Sequence, residues 1–165
     1  MSPQPPTPAA RTLGARLAWP GVLPVAAVIA GGALGTALRA ALTHAWPPQA
    51  EGLPWVTLLI NASGALALGT LLGWLGTKPD AGVRRLLRLG LGTGLLGGYT
   101  TYSTFVLESV TLAGAGRPGV ALVYAAASLV AGYLAAAVGL TLGIRGQRAT
   151  PRLKGRRRWG PTRWG

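Results

Sequence analysis

The chain has 165 residues, of which 50% are hydrophobic and 12% charged, and its 16 lysines and arginines against 3 acidic residues give a net charge of +13. Soluble domains carry roughly 25% charged residues, and disordered nucleic-acid-binding chains lack long apolar runs, so both classes are excluded. With no cysteine and one histidine, little remains for disulfides, thiolate metal sites or acid–base catalysis, which indicates a small integral membrane protein that is not an enzyme.

Proline-rich sequence precedes the first apolar run, and we expect residues 1–21 to be disordered. A cleaved signal peptide ending near Ala45 is the alternative interpretation. The first apolar run argues against it, because this run is long enough to span a membrane.

Four apolar runs follow, each of about the 20 residues that a helix needs to cross the hydrocarbon core. Short turn-rich segments separate them, so consecutive helices should run in alternating directions. The predicted fold is therefore a single all-α membrane domain over residues 22–143. Its four transmembrane helices are predicted at Val22–Leu42, Trp55–Leu75, Leu86–Leu112 and Val120–Leu142.

The third run is unusual because glycines and hydroxyl-bearing residues meet near its middle. Glycine costs about 1 kcal/mol relative to alanine inside a helix, and Ser and Thr offer the backbone competing hydrogen bonds. One interpretation is a break over Gly97–Thr101, which would free carbonyl oxygens to hold a small cation. The other is close helix packing through Gly90, Gly94 and Gly98. These residues alone favour neither interpretation.

Glycine pairs at i, i+4 spacing occur in the other runs as well. Such pairs let two membrane helices approach closely. We expect this role for Gly31 with Gly35, Gly69 with Gly73, and Gly139 with Gly143.

Polar side chains within the runs must find partners or line a water-accessible path. The Asn61 amide and the ring edges of Tyr102 and Phe105 present donors or positive edges, which suit a small, strongly hydrated anion. An interhelical hydrogen bond is the structural alternative for Asn61. For Ser63 and Ser128, a hydroxyl bonded back to its own helix is the favoured interpretation.

The roles of two charged residues within or near the runs stay open. Arg39 is either an interface residue that snorkels to water or a cation that raises the anion concentration at a vestibule. Glu108 is a proton-coupling carboxylate, a vestibule residue or one half of an ion pair.

Eight basic residues lie in the predicted disordered tail, residues 144–165. We expect this tail to be a solvated positive anchor, with tighter binding to anionic lipid headgroups, helped by its tryptophans, as the alternative. With four spans, both termini and loop 78–88 share one side, which collects fourteen Lys and Arg against Arg117 in the opposite loops. The positive-inside bias predicts that both termini are cytoplasmic.

Three sequence strings resemble the small bacterial and archaeal fluoride channels called Fluc or CrcB, over about residues 29–143. The first is Gly31-Gly-Ala-Leu-Gly35 followed by Arg39, and the second is Thr57-Leu-Leu-Ile-Asn61-Ala-Ser-Gly64. The third, Gly94-Leu-Leu-Gly-Gly-Tyr-Thr-Thr-Tyr-Ser-Thr-Phe105 with Glu108, is highly specific, whereas the first alone would be weak.

The resemblance implies a fluoride-selective channel that exports fluoride from the cytoplasm across the cell (inner) membrane and so lowers its toxicity. It implies an antiparallel, dual-topology homodimer of four-helix subunits in membrane lipid, with two fluoride pores and one structural Na⁺ at the dimer centre. Backbone carbonyls of Gly97 and Thr100 would hold this Na⁺. Glu108 matches the family's usual acid in the third span, and Arg39 would sit at the vestibule. The fluoride pore would be lined by Arg39, Asn61, Tyr102, Ser103, Thr104, Phe105, Tyr124 and Ser128.

Two departures from the family pattern bear on these expectations. Tyr102 stands where the family usually has phenylalanine, so one ring gains a hydroxyl. The charge bias also disfavours antiparallel insertion of one sequence, which leaves a fixed-orientation subunit with an oppositely oriented homologous partner as an alternative to the homodimer.

Two other functions fit a chain of this size. Small four-helix proton-coupled multidrug exporters require a carboxylate in the first helix, and the first run has none. A non-transporting membrane scaffold held by glycine packing gives no reason for the hydroxyl and aromatic cluster of the third run.

Overall fold

The computed structural model describes residues 21–47, 52–76 and 79–149. The N-terminal segment up to residue 20 and the tail from residue 150 onward lie outside the described residues, and so do the predictions made for them.

Every regular element in the described ranges is helical. In chain order they are α1 (Val22–Ala45), α2 (Trp55–Leu75), α3 (Gly82–Leu87), the π-helix π1 (Arg88–Leu96), α4 (Gly97–Tyr99), α5 (Ser103–Gly114) and α6 (Pro118–Ala149).

Three of these helices, α1, α2 and α6, are long and apolar enough to cross a membrane. Helix α2 has the predicted bounds, and α1 continues three residues past the predicted end at Leu42. The region predicted as one continuous third span is instead a series of shorter pieces from α3 to α5. The all-helical membrane class is confirmed at this level.

Helix α6 corrects the predicted start of the tail. It continues to Ala149, so residues 144–149 are helical rather than disordered. The Gln147 amide donates to the carbonyl of Trp74 at 2.8 Å and ties this last part of α6 to the end of α2. Arg148 in the last turn also interacts favourably with the negative end of the helix dipole.

The end of α2 is completed by side chains from two other elements. Gly76, with φ +47° and ψ −141°, follows the last residue of α2 in a positive-φ conformation that glycine adopts readily. Arg84 donates to the carbonyl of Leu75, and the Gln147 amide donates to the carbonyl of Trp74. The C-terminal ends of α2 and α6 and the start of the α3 region therefore meet at one end of the molecule.

Glycines bring α2 and α6 into backbone contact. Gly69 and Gly73 of α2 are buried against the α6 backbone, and Gly139 and Gly143 of α6 are buried against α2. A Cβ atom added at any of the four would overlap a backbone carbonyl of the opposing helix. The expected role of these pairs in close packing is confirmed.

Close packing through glycines also joins α1 to π1 and α4. Gly31 and Gly35 are buried against π1 and α4, and an added Cβ would overlap the carbonyls of Gly90 and Leu95 respectively. Gly94 and Gly98 face α1 in return, so the packing interpretation of these glycines is correct. The wide turns of π1 lie at this contact, and π-helical segments are frequent at functional sites.

The backbone is also interrupted directly after this packed segment. The Thr100 N–H still donates to the Leu96 carbonyl at 3.0 Å, but Thr100 then turns extended, with ψ 160°. Helical bonding resumes where the Val106 N–H donates to the Tyr102 carbonyl at 3.0 Å. The interruption covers residues 100–102, at the C-terminal edge of the stretch in which a break was expected, and Gly97–Tyr99 is helical.

Candidate functional site

Asn61 of α2 pairs with the interrupted backbone through both ends of its amide. Its Nδ2 donates to the Thr101 carbonyl at 2.9 Å, and the Thr101 N–H donates to its Oδ1 at 2.8 Å. The amide thus replaces helical partners that Thr101 has lost. An amide NH₂ carries two N–H groups, and this pairing occupies one of them. The interhelical role predicted as an alternative for Asn61 is therefore present, and a second donor remains on the same nitrogen.

Hydroxyls surround the start of α5. Thr101 Oγ1 accepts from the Thr104 N–H at 3.2 Å, which caps the first turn of the helix. The same hydroxyl lies 3.0 Å from Thr104 Oγ1 and 3.3 Å from Ser103 Oγ. Two predicted hydroxyls, Ser103 and Thr104, therefore form one network with Thr101, a residue that the sequence-based site set did not include.

Arg39 reaches the segment before the interruption. Its side chain is half-buried, and Nε donates to the Gly98 carbonyl at 3.1 Å. In an uninterrupted helix this carbonyl would accept from the N–H four residues later, at Tyr102.

Three aromatic rings follow one another from the surface inward. The centroids of Tyr102 and Phe105 are 6.1 Å apart, and those of Phe105 and Tyr124 are 5.6 Å apart, with tilted planes in both pairs. Tyr102 is 78% exposed, whereas Tyr124 is 1% exposed. Phe105 lies between them and is half-buried.

Glu108 is held by two hydroxyl donors. Thr57 Oγ1 donates to one carboxylate oxygen at 2.8 Å, and the Tyr124 hydroxyl donates to the other at 2.7 Å. The Tyr124 hydroxyl is thus engaged with Glu108. Sequence reasoning missed Thr57, although Thr57 and Asn61 are four residues apart and so share one face of α2.

Two cavities meet at Thr101. The first, of about 490 Å³, is lined in part by Asn61, Gly97, Thr100, Thr101, Tyr102, Phe105, Ser128 and Tyr133. The second, of about 660 Å³, is lined in part by Arg39, Thr43, His44, Thr57, Thr101 and Thr104. Thr101, which pairs with Asn61, therefore borders both cavities.

Ser128 of α6 contributes a buried hydroxyl to the first cavity. Within the described ranges its Oγ has no hydrogen-bond partner. The favoured sequence interpretation, a bond back to its own helix, is therefore wrong for Ser128. The interpretation is correct for Ser63, whose hydroxyl donates to the Ile60 carbonyl at 3.1 Å and also lies 3.0 Å from the Tyr99 hydroxyl.

The predicted site residues therefore divide into three groups. Asn61, Tyr102, Phe105 and Ser128 converge on the first cavity together with Gly97 and Thr100, and Arg39 and Thr104 line the second. Ser103 and Tyr124 line neither of these cavities. They join the cluster through Thr101 and through Phe105 and Glu108 respectively.

Comparison with known proteins places this chain in a family. Residues 26–140 match the family described as CrcB-like protein, Camphor Resistance (CrcB). A relative from Cutibacterium acnes named fluoride-specific ion channel FluC 1 is 48% identical over 113 residues, covering 68% of this chain and 79% of the relative. FluC of Beijerinckia indica is 44% identical over 116 residues, covering 70% and 91%. FluC 2 of Bacillus subtilis is 46% identical over 121 residues, covering 72% and 86%. The chain belongs to the CrcB family.

Proposed function

We propose that this chain forms a fluoride-selective channel in the cell membrane. Fluoride would leave the cytoplasm passively through this channel, which lowers its toxicity to the cell. Membership of a family whose named relatives are fluoride-specific ion channels supports a channel rather than an enzyme. The observation that carries the proposal is the row of groups that line the first cavity: the Asn61 amide, the Phe105 ring and the Ser128 hydroxyl, which has no hydrogen-bond partner among the described residues.

The chemistry of this row suits an anion that must shed water. A desolvated anion is costly unless hydrogen-bond donors replace its hydration shell. Amide N–H, hydroxyl O–H and aromatic edges all present partial positive charge. The nearby Glu108 carboxylate would repel an anion, but Thr57 and Tyr124 donate to its two oxygens and so offset its charge locally.

A fourth, interrupted membrane span is part of the proposal. No single piece between residues 82 and 114 has the length of α1, α2 or α6. Together the pieces match the length of a span, and non-helical backbone at membrane depth is tolerated where it lines a cavity. Residues 100–102 meet that condition, since all three line the first cavity.

The working unit that we propose is a dimer with antiparallel subunits, formed by two copies or by one copy and an oppositely oriented homologue. Two large aromatic side chains at the first cavity, Tyr102 and Tyr133, are 78% and 75% exposed. A partner subunit would cover these rings and complete the wall of the cavity, with lipid covering the remaining apolar surface.

We also propose a structural Na⁺ held by the Gly97 and Thr100 carbonyls. Gly97 has lost its usual helical donor, because the Thr101 N–H donates to Asn61 instead. Among the described residues no group of three acidic or histidine side chains could hold a metal, so carbonyl oxygens are the fitting donors. Hard cations such as Ca²⁺ and Mg²⁺ take about six oxygen ligands, and two carbonyls per chain are fewer than this. The shortfall favours a site shared between two subunits.

The multidrug-exporter alternative is not favoured. It needs a membrane-embedded carboxylate in the first span, and Val22–Ala45 contains neither Asp nor Glu.

Fluoride efflux from liposomes tests the proposal. Vesicles containing the purified protein are loaded with potassium fluoride, and valinomycin is added to carry the counter-charge while an electrode follows external fluoride. We expect efflux well above that of protein-free vesicles, together with retention of chloride in a parallel sample. Efflux equal to that of protein-free vesicles would contradict the proposal. Proton-driven uptake of a lipophilic cation would instead support the exporter.

A further inference from the structure

The interruption redistributes hydrogen bonds in a way that singles out one carbonyl. Thr101 has both backbone groups paired with Asn61, as α2 replaces the lost helical partners. Just before the interruption, in α4, the Gly98 carbonyl accepts from Arg39 of α1 at 3.1 Å. The end of α4 and the interrupted segment that follows it are thus held by side chains from two different helices.

The position of Arg39 follows from close backbone packing. Gly35, one turn earlier on α1, is buried against the backbone of Leu95 and Tyr99. Gly98 faces α1 at Gly32 and Thr36. Since these glycines bring the two backbones into contact, the arginine one turn beyond Gly35 lies within hydrogen-bond distance of the end of α4. Its guanidinium also complements the partial negative charge at a helix C-terminus.

We propose that Arg39 is a positioning residue that fixes the end of α4, and that the bond from its Nε to the Gly98 carbonyl matters more for the site than its charge at the second cavity. The proposed cation ligands, Gly97 and Thr100, flank Gly98 within two residues. A fixed Gly98 carbonyl therefore constrains the orientation of both. The part of this inference that concerns Na⁺ rests on the proposed function, whereas the part that concerns the backbone stands on the observed bond.

A matched pair of variants separates the bond from the charge. In Arg39→Gln, the Nε2 donor is the same number of bonds from the backbone as the arginine Nε, but the side chain is neutral. Arg39→Met has similar length and neither donor nor charge. Arg39→Lys keeps the charge and moves the donor one bond further out.

Hydrogen exchange of the purified full-length variants gives a readout that does not depend on transport. For backbone amides of residues 98–104, we expect exchange on the order of tenfold faster in Arg39→Met, near-unchanged exchange in Arg39→Gln, and an intermediate rate in Arg39→Lys. Equal acceleration in the Gln and Met variants, with Lys unchanged, would overturn the proposal in favour of a charge effect. Unchanged exchange in all three would also overturn it. If the Met variant does not fold, the Gln and Lys variants alone still decide between bond and charge.

The Na⁺ concentration needed for thermal stabilisation supplies the second readout. A merely structural arginine would lower the melting temperature at every Na⁺ concentration without moving the midpoint of the Na⁺ response. Positioning predicts a midpoint raised several-fold in Arg39→Met and close to wild type in Arg39→Gln. An unmoved midpoint in the Met variant, with wild-type protein responding to Na⁺, would overturn this part. If wild-type protein neither responds to Na⁺ nor passes fluoride, the proposed function fails, and the exchange comparison still tests the role of Arg39.

Discussion

At the scale of single residues, Phe105 is the most direct test of the anion path. Phe105 lines the first cavity, and replacing it by isoleucine keeps apolar bulk but removes the aromatic ring with its positive edge. We expect fluoride efflux from liposomes to fall at least tenfold while the elution volume in size-exclusion chromatography stays that of wild type. Leu107→Ile, at a 66% exposed position two residues along the same helix, is the matched control and should conduct normally. Undiminished efflux in Phe105→Ile would remove this ring from the pore.

Asn61 has a structural and a conducting role to distinguish. Asn61→Ala leaves the Thr101 N–H and carbonyl without their partners, and unpaired backbone groups of this kind cost about 1–3 kcal/mol each. We therefore expect a lower melting temperature together with strongly reduced efflux. Thr70→Ala, on the same helix, removes only a hydroxyl bonded back to the Leu66 carbonyl and should change neither. A variant that melts earlier yet conducts like wild type would show that the amide only holds the backbone.

At the scale of elements, the contact between α2 and α6 depends on the absence of side chains. Gly139→Ala would place a Cβ atom against the Leu66 carbonyl and the Thr70 N–H of the opposing backbone. We expect separation of the helices and a loss of stability of about 1–3 kcal/mol, the cost typical of overpacking, visible as a lower melting temperature in detergent. Gly119→Ala, on the same helix with nothing within 4 Å of the added atom, is the control and should be neutral or slightly stabilising. Equal melting temperatures for the two variants would contradict this close packing of α2 against α6.

Local sequence signals account for the uniform elements and fail where distant contacts decide. Trp55–Leu75 could be predicted to the residue, because an apolar run lies between Pro54 and Gly76, two residues that bound helices. The π-helix could not, because its hydrogen-bond pattern belongs to a segment whose glycines are pressed against α1. The end of α6 was missed because Gln147 gains its partner only when α2 lies beside it.

The candidate site shows the same division. Residue chemistry alone selected Asn61, Tyr102 and Phe105, and the family resemblance added Ser128. All four line one cavity. The pairing of Thr57 with Glu108 joins residues 51 positions apart, and no local pattern carries that information. The bond from Arg39 to Gly98 spans 59 positions and likewise depends on the packing of whole helices.

For the molecule as a whole, the charge distribution favours one orientation in the membrane, whereas an antiparallel homodimer needs both orientations. The proposed four-span topology puts fourteen Lys and Arg on one side of the membrane and Arg117 in the opposite loops. Asp80 forms a hydrogen bond and an ion pair with Arg88, which lower the pKa of its carboxyl. Acidic residues weigh little in the positive-inside bias, and the count of basic residues predicts a C-terminus that is predominantly cytoplasmic.

The extension of α6 makes this prediction sharper. Arg145 and Arg148 belong to the helix, so a chain truncated after Ala149 keeps the helical end intact and removes six of the eight basic residues in 144–165. Full translocation of a positive charge against a negative-inside potential costs about 2.3 kcal/mol per 100 mV. We expect a C-terminal reporter that is active on one side only to show a one-sided signal for the full-length protein and a more mixed signal after truncation. Equal signals from both sides in the full-length protein would restore the homodimer with freely mixed orientations. A one-sided signal that survives truncation would assign the bias to the eight basic residues that the truncated chain keeps on that side, and would leave an oppositely oriented homologue as the partner to seek.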